Sequence, residues 1–220
     1  MLPKVIIHNL ISLDGCIDGF EPEIGNYYRI AAGFGANAIL FGSNTIEKAI
    51  PEVPPETEAD FKKPEPMPDD KRPLWVIVDS RGWLRNLHIF RHSEYCRDIV
   101  VLVSEATPQT YLKDYLGKRQ YDYIVAGEDK VDYRLALEEL NKRYGVKSVR
   151  TDSGGILNSV LLEQGLVDEI SLVVSPLLVG KGHTNIFRSL NLPVDSIKLK
   201  PLKCESLEGG QVLLSYQVLK

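Results

Sequence analysis

Arg150-Thr-Asp-Ser-Gly-Gly-Ile-Leu-Asn158 runs directly into Ser159-Val-Leu-Leu-Glu-Gln-Gly-Leu-Val-Asp-Glu-Ile-Ser-Leu-Val-Val-Ser-Pro176. The stretch reads as the end of a strand, two glycines, a helix and a second strand. Gly154 and Gly155 fall where the chain turns from sheet to helix, and glycine there lets a ligand approach the backbone closely. The helix N-terminus that follows offers unpaired N–H groups and the positive end of a dipole, a setting suited to phosphate. The motif is neither GxGxxG nor a Walker loop, so the alternative is a Gly-Gly turn that merely joins two elements.

Outward from this point the chain alternates strand and helix. Val146 to Thr151 is the strand that enters the motif, and Ile156 to Gln164 the helix that leaves it, closed by Gly165. Asp168 to Val174 is the next strand. Upstream, Val131 to Tyr144 is an amphipathic helix with Leu135, Leu137, Leu140 and Tyr144 on its apolar side, stopped by Gly145. Lys4 to Ile11, Ala36 to Phe41, Leu74 to Val78, Ile99 to Val103 and Tyr121 to Ala126 read as strands. Ile24 to Phe34 and Tyr111 to Leu116 read as helical. A short helix opens at Gly42-Ser-Asn-Thr45, with Ser43 or Asn44 available as its cap. The tail, Lys198 to Leu207 and Val212 to Leu219, is split by Gly209-Gly210 and predicts a hairpin with a tight primed turn. The sum is an α/β fold, a mostly parallel sheet flanked by helices with an antiparallel C-terminal hairpin.

Residues 1–220 read as a single domain. Between Pro51 and Pro73 seven of the 13 prolines gather among seven acidic residues, an irregular surface excursion after which strand signals resume at once. A net charge of −4 gives no electrostatic case for nucleic acid or an anionic membrane. The amino terminus lacks a signal-peptide layout, and no apolar run is long enough to span a bilayer, so a cytoplasmic protein is expected. Cys16, Cys96 and Cys204 are scattered, which suits a reducing compartment and indicates neither disulfides nor a metal site.

In an open α/β sheet, ligands gather at the carboxyl ends of strands. Four such ends carry polar residues here: Gly42-Ser-Asn-Thr45, Asp79-Ser80-Arg81, Ser153-Gly-Gly155 and Ser12-Leu-Asp-Gly15. Two glycine turns and a basic strand end together favour a dinucleotide. Arg81 could meet a phosphate, or be solvated while Asp79 caps a turn. Within the first strand, His8 reads as a core histidine with satisfied partners, and Asn9 as either core or pocket lining. Asp14 and Asp18 each lie close to a glycine and are explained by turn chemistry. His88, His92 and His183 are assigned to the surface, and no Ser-His-Asp set assembles.

Several blocks occur together in a known order: Ser-Leu-Asp-Gly15, Asn37-Ala-Ile-Leu-Phe-Gly-Ser-Asn-Thr45, Trp75-Val-Ile-Val-Asp-Ser80, Asp152-Ser-Gly-Gly-Ile-Leu-Asn158 and Gly165-Leu-Val-Asp-Glu-Ile-Ser-Leu-Val-Val-Ser-Pro176. In this the chain resembles the reductase domain of riboflavin biosynthesis, a family related in fold to dihydrofolate reductase. The resemblance implies NADPH-dependent reduction of 2,5-diamino-6-ribosylamino-4(3H)-pyrimidinone 5′-phosphate, with hydride passing to the sugar C1 of an opened imine; NADH is the alternative cofactor. Such a reaction needs placement and water exclusion more than a strong acid. By position, Gly42, Asn44 and Thr45 would line the cofactor, and Ser153, Gly154 and Gly155 would hold its pyrophosphate. Asp79, Ser80 and Arg81 would lie near its adenosine end. Asn9 and Asp152 would be catalytic, while Ser12 and Asp14 would bind substrate. Asp152 stands where the family usually has glutamate. The acidic pair that often follows the Thr45 helix is replaced by Glu47-Lys-Ala-Ile-Pro51, which leaves another pterin or pyrimidine reductase, or a non-catalytic nucleotide binder, as alternatives. The resemblance also implies a homodimer.

Overall fold

The apolar runs Ala38-Ile-Leu-Phe41 and Ile99-Val-Val-Leu-Val103 become strands buried on both faces. The computed structural model describes residues 1–50, 56–65, 67–188, 190–192 and 196–220. In chain order the elements are β1 (Lys4–Ser12), α1 (Gly25–Gly33), β2 (Ala38–Phe41), α2 (Ser43–Ala49), β3 (Leu74–Val78), α3 (His88–Arg91), β4 (Ile99–Val103), β5 (Asp122–Val125), α4 (Tyr133–Tyr144), β6 (Ser148–Thr151), α5 (Gly155–Glu163), β7 (Glu169–Ser175), β8 (Leu199–Ser206) and β9 (Val212–Val218). A 3-10 turn at Glu58–Phe61 belongs to the proline-rich excursion, of which residues 51–55 and 66 lie outside the described residues.

The chain forms two compact units. The first takes Met1–Pro3 and Asn37–Lys147. Its strands lie in the order β5-β4-β3-β2, all parallel. All five residues of β4 are buried, as a parallel strand covered by helices requires. The core gathers Ile39, Ile77, Val101, Leu112, Tyr115 and Leu116. Arg91 is fully buried beside it. Its Nε donates to Asp98 at 2.9 Å, its Nη1 and Nη2 donate to the carbonyls of Arg119 (2.7 Å) and Gln120 (2.9 Å), and the guanidinium covers the Tyr121 ring at 4.0 Å. A buried charge is tolerated when it is matched this completely.

The second unit joins Lys4–Ala36 to Ser148–Lys220. Its strand order is β6-β1-β7-β9-β8. β1 runs parallel to both neighbours, with Val5 opposite Val149 and Ile7 opposite Ile170. β9 is antiparallel to β7, and β8 to β9, which gives the expected C-terminal hairpin. β8 is exposed along its length, and it carries Lys200, Pro201 and Lys203 with a register shift at Pro201/Lys203. Lysines, proline and a bulge are what blunt an open edge against further pairing. Among the described residues no helix is long and apolar enough to cross a membrane, and no group of three or more His, Cys, Asp or Glu could hold a metal ion.

Four local expectations are corrected. α2 is capped by neither Ser43 nor Asn44: the helix starts one residue earlier, so extended Gly42 is its cap and supplies no side chain. Leu135 is 42% exposed: it lies about 200° around the helix from Leu137, and α4, which begins at Tyr133 under an Asp132 cap, turns Ala136, Leu137 and Leu140 inward. The β8–β9 turn is wider than a two-residue primed turn. Leu207 N–H donates to the Gln211 carbonyl at 2.8 Å, and Gly209 and Gly210 both adopt φ of 73° inside that loop. His88 is not on the surface; its imidazole is only 13% exposed and faces Glu56 at 3.6 Å. The Tyr111–Gly117 segment is helical as expected but wound as a π-helix, which buries Tyr111, Leu112, Tyr115 and Leu116 together.

Candidate active site

The turn from β6 into α5 is braced by side-chain amides. Asn158, fully buried on α5, donates from Nδ2 to Asn9 Oδ1 at 3.0 Å and accepts from the Thr151 hydroxyl at 3.1 Å. Asn9 in turn donates to the Ser153 carbonyl at 3.0 Å. This ring ties β1, β6 and α5 together, so Asn9 has both ends of its amide engaged in holding the turn. Every buried amide group in the ring has a partner, as such a network demands.

The two glycines do different things. At Gly155 a Cβ would stand 2.1 Å from the Asn185 carbonyl oxygen and 2.7 Å from the Arg188 nitrogen. The chain's own loop, laid across the first turn of α5, excludes any side chain there. At Gly154, whose φ of −83° and ψ of 179° any residue adopts, a Cβ would meet only Ile17 Cδ1, at 3.4 Å. Its missing side chain is demanded by neither backbone nor internal packing. α5 also lacks a side-chain cap, and Ile156 in its first turn is 54% exposed. A bare Gly154 before an uncapped helix N-terminus fits the pyrophosphate of a dinucleotide.

Asp152 lies just before that turn and is gripped at both oxygens. The Tyr27 hydroxyl donates to Oδ1 in a short contact, and Arg150 Nη2 donates to Oδ2 at 2.9 Å. Arg150 lies on β6 and Asp152 one residue past its end, two apart along the chain, and the two side chains meet. Tyr27 belongs to α1 and stacks on His8, with ring centroids 4.4 Å apart and planes at 13°. His8 Nε2 lies 3.1 Å from the Tyr27 carbonyl, and Nδ1 3.1 Å from the Ser171 hydroxyl. Burial lowers the His8 pKa, which favours a neutral ring that donates from Nε2 and accepts at Nδ1. His8 is the satisfied core histidine expected. The Tyr27 phenol is pushed well above its usual value, first by burial and then by the Asp152 charge, and stays a donor.

Ser12 and Asp14 form a clasp. The Ser12 hydroxyl donates to Asp14 Oδ1 at 2.6 Å and accepts from Cys16 N–H at 2.9 Å. Asp14 Oδ2 also accepts from Gly180 N–H at 2.7 Å, and Oδ1 from Val179 N–H at 3.1 Å. These bonds, Ser12 first, lower the Asp14 pKa to about 2. Asp18 accepts from Thr184 N–H at 2.8 Å, so both aspartates fasten the loop after β7 to the turn after β1.

In the first unit, Gly42 opens α2, with Asn44 exposed and Thr45 N–H donating to the Gly42 carbonyl at 3.0 Å. Asp79, at the end of β3, is buried and accepts from Gly82 N–H at 3.1 Å and Leu84 N–H at 2.9 Å, shaping the turn that carries Ser80 and Arg81. Burial raises its pKa. The Ser80 carbonyl accepts from Thr107 at 2.7 Å. Arg81 is exposed and lies over the Trp83 ring at 4.1 Å. Sequence reasoning missed Tyr27, Arg150 and Asn158. The only signals for them were the inward spacing of α1, the alternation along β6 and an asparagine amid the apolar residues of α5.

Of the curated relatives that carry the name 2,5-diamino-6-ribosylamino-4(3H)-pyrimidinone 5′-phosphate reductase, two align over most of this chain. The one from Methanothermobacter thermautotrophicus is 26% identical over 229 aligned residues, covering 99% of each chain. The one from Archaeoglobus fulgidus is 28% identical over 189 residues, covering 82% of this chain and 83% of the relative. A pyrimidine reductase-like protein of known structure from Corynebacterium diphtheriae shares the fold, with a TM-score of 0.72 at 16% identity over 99% of this chain and 92% of its own. The dihydrofolate-reductase-like α/β fold expected from the sequence is thereby established. The family model described as the RibD C-terminal domain matches residues 3–213, and the chain belongs to that family.

Proposed function

We propose that the protein reduces 2,5-diamino-6-ribosylamino-4(3H)-pyrimidinone 5′-phosphate to its ribitylamino product at the expense of NADPH, with residues 1–220 acting as one reductase domain. One observation carries this reading. A single turn supplies a doubly gripped carboxylate, Asp152, and, two residues on, a bare glycine before an uncapped helix N-terminus. The first suits the hydroxyls of a sugar and the second a pyrophosphate. The names of the two relatives, similar over most of the chain, support the same substrate.

A nicotinamide cofactor, when bound, would supply the hydride. Ser153, Gly154 and Gly155 would hold its pyrophosphate in the second unit. On the resemblance of their sequence blocks to the family's, Gly42, Asn44 and Thr45 are proposed as further cofactor contacts, and Asp79, Ser80 and Arg81 as contacts of its adenosine end. Asp152 would accept hydrogen bonds from the opened sugar and fix the C1 carbon for attack, while the substrate nitrogen takes its proton from water or from a substrate hydroxyl. Asn9 would act by holding the turn that carries Asp152, and Ser12 and Asp14 by fastening the loop beside the substrate. Orientation of this kind is the main source of acceleration for a transfer that needs no strong acid.

The replacement of the acidic pair by Glu47-Lys-Ala-Ile favours a second reading, reduction of another pterin or pyrimidine. Loss of NADPH absorbance with freshly made substrate decides between them. Turnover at an enzymatic rate is expected; turnover with a pterin alone would establish the second reading in its place. A cytosolic homodimer completes the proposal, with sedimentation velocity as its check.

A further inference from the structure

We propose that Tyr27 and Arg150 are positioning residues of the reductase, acting on the substrate only through Asp152. The inference rests on the preceding reading, in which Asp152 meets the sugar. Left to itself an aspartate side chain rotates, and a carboxylate that must meet particular hydroxyls loses affinity for each extra orientation it samples. Here both of its oxygens are fixed, by donors from different elements. Arg150 approaches along β6, its side chain 9% exposed, and Tyr27 approaches from α1. Tyr27 is itself immobilised: its ring stacks on His8, and its carbonyl accepts from His8 Nε2, whose other nitrogen meets the Ser171 hydroxyl of β7. The line Ser171, His8, Tyr27, Asp152 therefore runs from β7 through β1 and α1 to the end of β6. Each carboxylate oxygen keeps a further lone pair for substrate.

A double-mutant cycle separates this role from a structural one. Turnover by the unaltered protein is established first, and its absence would overturn the reading of function and this role with it. Substrate affinity is then measured by calorimetry on the cofactor-free protein, alongside kcat, for Tyr27→Phe, Asp152→Asn and the pair. Tyr27→Phe keeps the ring on His8 and is expected to weaken substrate binding about tenfold, the scale of one charge-assisted hydrogen bond. NADPH affinity is expected to stay unchanged. In the Asp152→Asn background the same change is expected to have no further effect beyond about twofold, because the two act as one. Three results would overturn the proposal. Equal losses in both backgrounds would make Tyr27 independent of Asp152, and a harmless Tyr27→Phe beside a damaging Asp152→Asn would leave Asp152 acting alone. A harmless Asp152→Asn in an active enzyme would remove the carboxylate from the site while leaving the reaction assigned.

Discussion

Substituting alanine at each of the paired glycines should give opposite results. At Gly155 the new methyl would lie 2.1 Å from the Asn185 carbonyl oxygen, and both this atom and the Arg188 nitrogen at 2.7 Å are backbone. To reach a tight carbon–oxygen contact of about 3.3 Å the loop must retreat by roughly 1 Å. Alanine gains about 1 kcal/mol over glycine in a helix interior, and less in a first turn. Forced displacement in a packed region costs about 1–3 kcal/mol, more when no flexible side chain can yield. The displacement wins, and Gly155→Ala should lose about 2 kcal/mol, or about 4–8 °C in melting temperature for a chain of this size. Gly154→Ala meets only Ile17 Cδ1 at 3.4 Å and keeps an allowed backbone. It should leave the melting temperature unchanged or raise it slightly, since alanine restricts the unfolded chain. NADPH affinity, by contrast, should fall at least tenfold, the effect of a methyl where a pyrophosphate lies against the backbone. Differential scanning calorimetry and fluorescence titration with NADPH read the two effects separately. A Gly155→Ala protein as stable as the parent, or a stable Gly154→Ala protein with full affinity, would refute the division of labour between the glycines.

Arg91→Met strands Asp98 and the carbonyls of Arg119 and Gln120, and should cost about 3 kcal/mol in chemical denaturation; a loss below about 1 kcal/mol would show that those groups find other partners. Asp14 has a carboxyl lowered to about 2, so its clasp is complete above the unfolded value near 3.9 and is lost only as pH falls through the folded value. The amide resonances of Val179 and Gly180 should therefore hold their neutral-pH positions down to about pH 4 and move between there and about 2. Asp14→Asn should shift them at neutral pH, and unmoved resonances would dissolve the clasp. Arg81→Ala should weaken NADPH binding much more than NADH binding, since a guanidinium suits the extra phosphate; equal losses would take Arg81 out of that role.

The strands were legible because Ile99-Val-Val-Leu-Val103 and its like have no amphipathic alternative, and the strand-turn-helix at 151–158 because Gly-Gly punctuates two opposed periodicities. What was not legible depended on neighbours far away in sequence. Tyr27 and Tyr28 are equivalent by spacing, and it is His8 and Asp152, both distant in sequence, that meet Tyr27 and make it the inward one. Leu135 counts as apolar in any pattern, yet the face that α4 turns inward runs through Ala136, Leu137 and Leu140 and leaves it in solvent. Gly155 looked like a ligand contact, whereas its strictest demand comes from the loop at Asn185. The partner of a short-range signal is set by tertiary packing, which a linear pattern does not encode.

The second unit is assembled from the two ends of the chain, with Asn37–Lys147 lying between them in sequence. On the ribosome this fixes an order of events. β1 leaves the exit tunnel first, but its partners are β6, at Ser148, and β7, at Glu169. At about 5–20 residues per second those partners follow on the order of ten seconds later. Meanwhile β2 to β5 appear in sequence and can pair with one another as they emerge. The nascent chain thus holds an unpaired Lys-Val-Ile-Ile-His-Asn-Leu-Ile-Ser12 segment while its middle folds. The polar His8 and Asn9, buried once the unit is complete, lower that segment's tendency to pair with another copy during the wait.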